Sequence, residues 1–264
     1  MNNYINSTMA IRVGRIKYPD FKVTPVHGFE TIYVMTDSFP GEFNILSPFA
    51  IKDEYGRIME NVWQFSRVFP IAFKKVRPRG FKDKKMATSS EELVSHTTPD
   101  GQLTDDYMLW RKTGCNYPTH IRYSNGLHDK TTAMYAYKEK EAILSTDTLA
   151  TVRDKLDSIK LDYVESRKQI YVPMYIKIVR QQPMFEVLKQ KLRDGKSLLI
   201  IEVDGPHQES LQYYKQKYGV TNDFITNHSM LVNQSNIDIM LNDPIHNFGH
   251  GYCLAMALLD LQIV

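Results

Sequence analysis

The sequence predicts a helix-dominated α+β fold, one domain with a small β-sheet. Three observations predict it. Short runs rich in β-branched and aromatic residues crowd the first third, apolar residues recur at helical spacing through the second half, and no stretch of linker composition divides the 264 residues. That length suits one large or two small domains.

Residues 10–13 and 30–35 (Glu-Thr-Ile-Tyr-Val-Met) are the first two strands, bounded by Pro and Gly. Turn residues then crowd between Ser38 and Pro48, and Asp53-Glu54-Tyr55-Gly56 makes a tight turn. Ile58, Val62, Phe65 and Phe69 are spaced as one face of a helix over 58–69, ended by Pro70. Residues 74–85 form a basic loop, 89–105 an exposed polar loop, and a short helix follows around 107–112. Residues 120–123 and 132–137 read as strands. Helices are expected over 145–159, 163–179 (with Pro173 imposing a start or a kink), 183–193, 207–217, 236–241 and 251–261. Pro183 has the place of an N1 proline and Gly195 that of a C′ glycine. Between them and the later helices, Ser197-Leu198-Leu199-Ile200-Ile201-Glu202-Val203 is a buried strand leading into the turn Asp204-Gly205-Pro206.

Composition narrows the function. Thirty-three Lys+Arg against 30 Asp+Glu leave a formal charge of +3, too even for a polyanion coat, so any nucleic-acid contact must be local. Apolar runs such as 198–201 and 254–259 fall short of the roughly 20 residues of a membrane span, which predicts no membrane partner. The polar start Met1-Asn2-Asn3-Tyr4 lacks the pattern of a secretory signal, and a cytoplasmic location is expected. Cys115 and Cys253 are too few for a disulfide framework or an all-cysteine zinc site and read as reduced, buried thiols.

Four segments carry polar groups that a bland core would not. Glu60, Trp63, Gln64 and Arg67 share one helix face, either as a solvated stripe or as a ligand site. Glu202 and Asp204 follow an apolar strand, where a carboxylate is held rigidly at the edge of the core or merely caps a turn. Asp243, His246, Gly249, His250 and Gly251 precede an apolar helix whose start favours a phosphate; Asp243, His246 and His250 have a spacing that a metal could use, but glycine and proline break the loop, and no metal or cofactor is expected. Lys74, Lys75, Arg77, Arg79 and Lys82, interleaved with Phe73 and Phe81, are cations and aromatics of the kind a single-strand binder uses, or a solvated loop.

Together these segments resemble the NADAR (YbiA-like) family of N-glycosidases. Phe43-Asn44-Ile45-Leu46-Ser47-Pro48-Phe49, then Ile51, Gly56 and Glu60-Asn61-Val62-Trp63-Gln64, are similar to its LSNF…G…E-H-x-F-Q signature. Residues 163–203 resemble its later helix pair, which leads to an L-x-E ending, here Ile200-Ile201-Glu202. Asp243, Phe248-Gly249-His250-Gly251 and residues 254–259 resemble its closing segment. The chain departs from the pattern at Asn61 (usually His), Pro48 (usually Asn), Arg67 (usually Lys) and Pro244 (after the Asp, where Trp is usual). A guanidinium is a poor amine nucleophile, which bears on any imine route. The resemblance implies a single YbiA-like domain over 1–264 with an insertion at about 71–160.

It also implies cleavage of the N-glycosidic bond of an ADP-ribosylated or ribosyl-phosphate-linked base, free or in DNA or RNA. Such a reaction passes through an oxocarbenium-like state and needs a carboxylate near the ribose. Glu60 is expected to stabilise the cation or position water, with Asp243 or Glu202 on the ribose hydroxyls. Trp63 would stack on a base, Arg67 would meet a phosphate, the 249–251 amides would receive a pyrophosphate, and Ser47, Asn61, Gln64, His246 and His250 would line the site. The alternatives are a nucleotide- or DNA-base-modifying transferase using the same pocket and a non-catalytic ADP-ribose- or nucleotide-binding module.

Overall fold

The structure, a computed structural model, describes residues 9–16, 22–36, 41–77, 92–126 and 132–264. Its strands are β1 (Ile11–Arg15), β2 (Phe29–Tyr33), β3 (Arg67–Val68), β4 (Ala72–Phe73), β5 (Leu93–Val94), β6 (Tyr135–Ala136), β7 (Ser197–Glu202) and β8 (Ser229–Leu231). Its α-helices are α1 (Met59–Phe65), α2 (Asp105–Cys115), α3 (Leu149–Asp154), α4 (Tyr163–Ser166), α5 (Val172–Val179), α6 (Pro183–Arg193), α7 (Leu211–Tyr218), α8 (Gln234–Asn242) and α9 (His250–Leu259). The mixed α and β content agrees with the sequence. Two compact units divide the chain, one of residues Met1–Ser47 with Tyr175–Val264 and one of Pro48–Met174. Among the described residues no helix is long and apolar enough to cross a membrane.

The first unit is built on a sheet of order β2-β7-β1-β8, in which β1 and β2 run parallel to β7 and β8 is antiparallel to β1. Leu198 to Ile201 are buried on both faces, as expected of a central parallel strand read as a continuous apolar run. Burying each such side chain stabilises the fold by about 1.5–3 kcal/mol. β8 has no alternating run and only three residues, so periodicity does not reveal it. α9 packs on β1 and β7 and is buried from His250 through Leu258. α6, the helix before β7, starts at Pro183 as N1 and is followed by Gly195 at φ 78°, as its sequence predicts.

The second unit packs α1 against α2 around Phe65, Tyr107 and Trp110, with Val152, Ile121 and Ile143 in the same core. Here several expectations need correction. The helix over 58–69 stops at Phe65: the Ser66 hydroxyl donates to the Trp63 carbonyl at 2.8 Å, and Arg67–Val68 leave to pair antiparallel with Tyr135–Ala136. Phe69 is buried beyond the helix, so its i+11 spacing is a coincidence of two elements. Residues 120–123 form no strand; the Asn61 side chain holds this stretch by accepting from Ile121 N–H at 2.7 Å. The helix expected over 145–159 is reduced to α3, since Thr148 caps it and Asp147 ties the preceding turn to Lys155.

Residues 163–179 are helical throughout, but the expected start or kink is a π-helical turn, Arg167–Tyr171, two residues before Pro173. A proline ring clashes with the carbonyl four residues earlier, here that of Gln169, and a one-residue widening relieves this without breaking the helix. Cys115 and Cys253 are free and buried, and burial pushes the Cys115 thiol up to about 12.

Candidate functional site

In the second unit, α1 brings together Glu60, Trp63, Gln64 and, two residues beyond its end, Arg67. The solvated-stripe reading fails: Glu60 is 6% exposed, Trp63 8% and Gln64 8%. Gln64 Nε2 donates to Glu60 Oε1 at 2.5 Å, and the Ser124 hydroxyl donates to the Gln64 carbonyl at 3.1 Å. The Arg67 guanidinium lies 5.2 Å from the Trp63 ring centroid, and Trp63 meets Tyr171 at 5.1 Å. Burial lowers the Arg67 pKa, against the raising effect of Glu60, Tyr163 and Tyr171 nearby. Asn61, expected to touch ligand, instead clamps a loop: its amide donates to the Tyr117 and Thr119 carbonyls, and its oxygen accepts from Ile121 N–H.

In the first unit Glu202 ends β7 and is fully buried. It does not point to solvent. Its carboxyl lies against the start of α9, with Oε2 3.3 Å from His250 Nδ1, while His250 Nε2 lies 2.5 Å from the Val34 carbonyl. Burial raises the Glu202 pKa well above the usual carboxylate value and Asp204 adds to the rise, outweighing the 250–252 amides. Gly249 and Gly251, expected to cradle a pyrophosphate, face this carboxyl instead; a Cβ on Gly251 would come within 2.8 Å of Oε1.

Asp243 is also fully buried, and its acceptors are engaged. It receives the Tyr213 hydroxyl at 2.5 Å and the Tyr214 hydroxyl at 2.9 Å, sits 2.5 Å from His246 Nδ1, and accepts the Ile245 and His246 amides at 3.3 Å. Burial works to raise its pKa, but the hydrogen bonds from Tyr213, His246 and Tyr214 prevail and lower it. His246 lines a pocket of about 180 Å³ together with Asp204, His207, Ser210, Tyr214 and Asn247. Asn247 donates to Asp204 at 3.1 Å, and Arg15 contacts the His207 ring. Ser47 is buried nearby in sequence to Asn44, whose carbonyl accepts its N–H at 2.9 Å. Among the described residues no group of His, Cys, Asp and Glu has the geometry to hold a metal.

Of the basic segment, Lys74 pairs with Glu92 at 2.6 Å and lies 3.9 Å from Asp106, so its field is largely answered locally. Lys75 and Arg77 are exposed. Phe73 is buried and so cannot stack on a base, while Arg79, Phe81 and Lys82 lie outside the described residues. Sequence reasoning missed Tyr213, Tyr214, Arg167 and Tyr171. The paired tyrosines of α7 carry no recognisable motif, and only Pro173 hinted at irregular backbone beside Tyr171. No family model, curated protein or solved structure matches the chain.

Proposed function

We propose that the chain is an N-glycosidase of NADAR type, hydrolysing the N-glycosidic bond of an ADP-ribosylated or ribosyl-phosphate-linked base. The observation that supports it best is the buried Glu60, held by Gln64 on α1, with Trp63 on the same helix and Arg67 on the strand that follows it. A carboxylate kept in a dry setting by one amide is suited to stabilising positive charge at an anomeric carbon, where low local dielectric strengthens the attraction.

In this reading the bond from the anomeric carbon to the base nitrogen breaks as positive charge develops on the ribose. Glu60 faces that charge, water adds its oxygen to the carbon, and a proton goes to the departing nitrogen. Of the three expected carboxylates, Glu60 alone suits the role. Asp243 has its acceptors filled by tyrosines, imidazole and amides, and burial disfavours the charged form of Glu202.

Mass-spectrometric product analysis tests this, with wild type and Glu60→Gln incubated with ADP-ribosylated guanine in DNA, in RNA and as free nucleotide. Release of ADP-ribose by wild type alone is expected. Binding without release by both proteins would overturn hydrolysis in favour of a binding module, and a covalently extended product would point to transfer.

A further inference from the structure

The pocket of the first unit holds a carboxylate–imidazole pair for which the glycosidase reading has no use. Asp243 stays ionised in spite of burial, because the hydrogen bonds it accepts outweigh the desolvation. His246 Nδ1, 2.5 Å away, therefore donates to it, which leaves the lone pair of the neutral ring on Nε2. The Tyr213 and Tyr214 rings, 5.0 and 5.1 Å from the imidazole, hold its plane, and His246 lines the pocket. A histidine oriented in this way by a buried carboxylate is a base whose tautomer and direction are set before any substrate arrives.

Ser210 lines the same pocket with a hydroxyl that the fold does not use. It is the N-cap of α7, a position at which a serine oxygen ordinarily accepts an amide of the first turn. Thr104, Thr148, Asp162 and Asn233 do so at the starts of α2, α3, α4 and α8. Ser210 makes no such bond, and among the described residues its hydroxyl has no other partner. The 3-10 turn Gln208–Ser210 that leads into α7 is the reason: it sets Ser210 at φ −82°, ψ −7° in place of the extended backbone of the other four caps. The first turn of α7 is thus left without a side-chain cap, and its amides can serve a negative oxygen that forms beside Ser210.

The pocket also limits what can enter. At about 180 Å³ it is smaller than the roughly 300–1,000 Å³ that encloses a drug-sized ligand, and Pro206, Met240 and Ile245 give it apolar walls. Asp204 lines it too, and a carboxylate there disfavours an anion. A short uncharged acyl group meets both conditions. We propose that this pocket is an acyl-transfer site for small neutral esters, with Ser210 as nucleophile, His246 as general base and Asp243 as the positioning residue behind it. Ser210 Oγ bonds to the acyl carbon while its proton passes to His246 Nε2, and the ester's alcohol leaves with that proton. Water then adds its oxygen to the acyl carbon and gives a proton, through His246, to the departing Ser210 oxygen, which frees the acid and restores the serine. The proposal does not rest on Glu60 or on any ribosyl substrate.

The test treats the full chain with a fluorophosphonate probe, locates the adduct by peptide mass spectrometry, and follows hydrolysis of p-nitrophenyl acetate. Wild type, Ser210→Ala, His246→Gln and Asp243→Asn are compared, each checked for folding by its thermal melt. The adduct is expected on Ser210, and Ser210→Ala should lose both the adduct and the hydrolysis above background. His246→Gln should slow labelling by about a hundredfold or more, the scale of a lost general base. Asp243→Asn should lower kcat with KM unchanged, which a merely structural role would not do. Wild-type labelling should also slow from pH 8 to pH 5, since a protonated imidazole cannot take the serine proton. An adduct on another residue, hydrolysis by wild type no faster than by Ser210→Ala, or a labelling rate unchanged in His246→Gln would overturn the site. Should Asp243→Asn or His246→Gln not fold, Ser210→Ala decides, because it removes one half-buried oxygen that the fold leaves unbonded.

Discussion

The Glu202 carboxyl occupies the space that a side chain at Gly249 would need: a Cβ built there collides with Oε2. The glycine before α9 is thus explained by an internal carboxyl. Gly249→Ala is expected to destabilise the protein by about 1–3 kcal/mol, the usual cost of overpacking a filled site. Urea unfolding of the variant measures this, and an unchanged midpoint would show that Glu202 moves aside freely.

Glu202 also gives a pH signature. Its pKa is raised on folding, so the folded chain holds a proton that the unfolded chain releases above about 4.5. Its contribution to stability is full below that pH and declines as pH rises toward the folded value, by about 1.4 kcal/mol per unit. Glu202→Gln keeps the neutral shape and removes the titration. Stability curves of the two proteins should therefore diverge above pH 4.5 in favour of the variant, and parallel curves would mean that Glu202 is ionised in the fold.

How much of this was legible in sequence depended on whether the signal was local. β7 and α6 were readable because a continuous apolar run and a proline-to-glycine bracket are properties of consecutive residues. The end of α1 was not, because Arg67–Val68 leave the helix to pair with Tyr135–Ala136, far along the chain. Likewise Glu60, Gln64 and Arg67 could be placed on one face by spacing, but their burial depends on Ser124, Tyr163 and Tyr171, which no periodicity connects to them. Glycines 249 and 251 are legible in sequence as points of close approach, whereas the Glu202 carboxyl that approaches them comes from a strand some fifty residues earlier and is not.

Asp243 is expected to act by holding His246 and the loop that follows. In Asp243→Asn the amide would turn donor hydrogens toward the hydroxyls and N–H groups that now donate to it. A loss of about 2–4 kcal/mol follows from removing the charge from several buried hydrogen bonds. Thermal unfolding measures the loss, and a variant as stable as wild type would show that the tyrosines re-pair without it.

α1 and α2 cross where Gly114 meets Phe65, and a Cβ on Gly114 would sit inside the Phe65 ring. Gly114→Ala should cost at least about 2 kcal/mol, although alanine is the better helix former by about 1 kcal/mol. Adding Phe65→Leu should recover part of that loss, since the two positions share one space. A double-mutant cycle with no coupling between them would contradict the packing.

His96 offers the sharpest electrostatic test. It is fully buried among Phe69, Tyr107 and Trp110, and its Nδ1 accepts the Phe69 N–H at 3.1 Å, which assigns the proton of the neutral ring to Nε2. Burial lowers its pKa to about 3, so the folded chain leaves this ring neutral while the unfolded chain protonates it below about 6.5. Its contribution is therefore present above pH 6.5 and is lost as pH falls toward about 3, at about 1.4 kcal/mol per unit. Asn at this position offers an oxygen to the Phe69 N–H and does not titrate. Unfolding followed by tryptophan fluorescence from pH 4 to 7 should show a lower stability for His96→Asn at pH 7, from the cavity it leaves, but a shallower fall on acidification. Equal slopes in the two proteins would mean that His96 takes up its proton in the folded chain, and that the aromatic cluster opens to water at mild acidity.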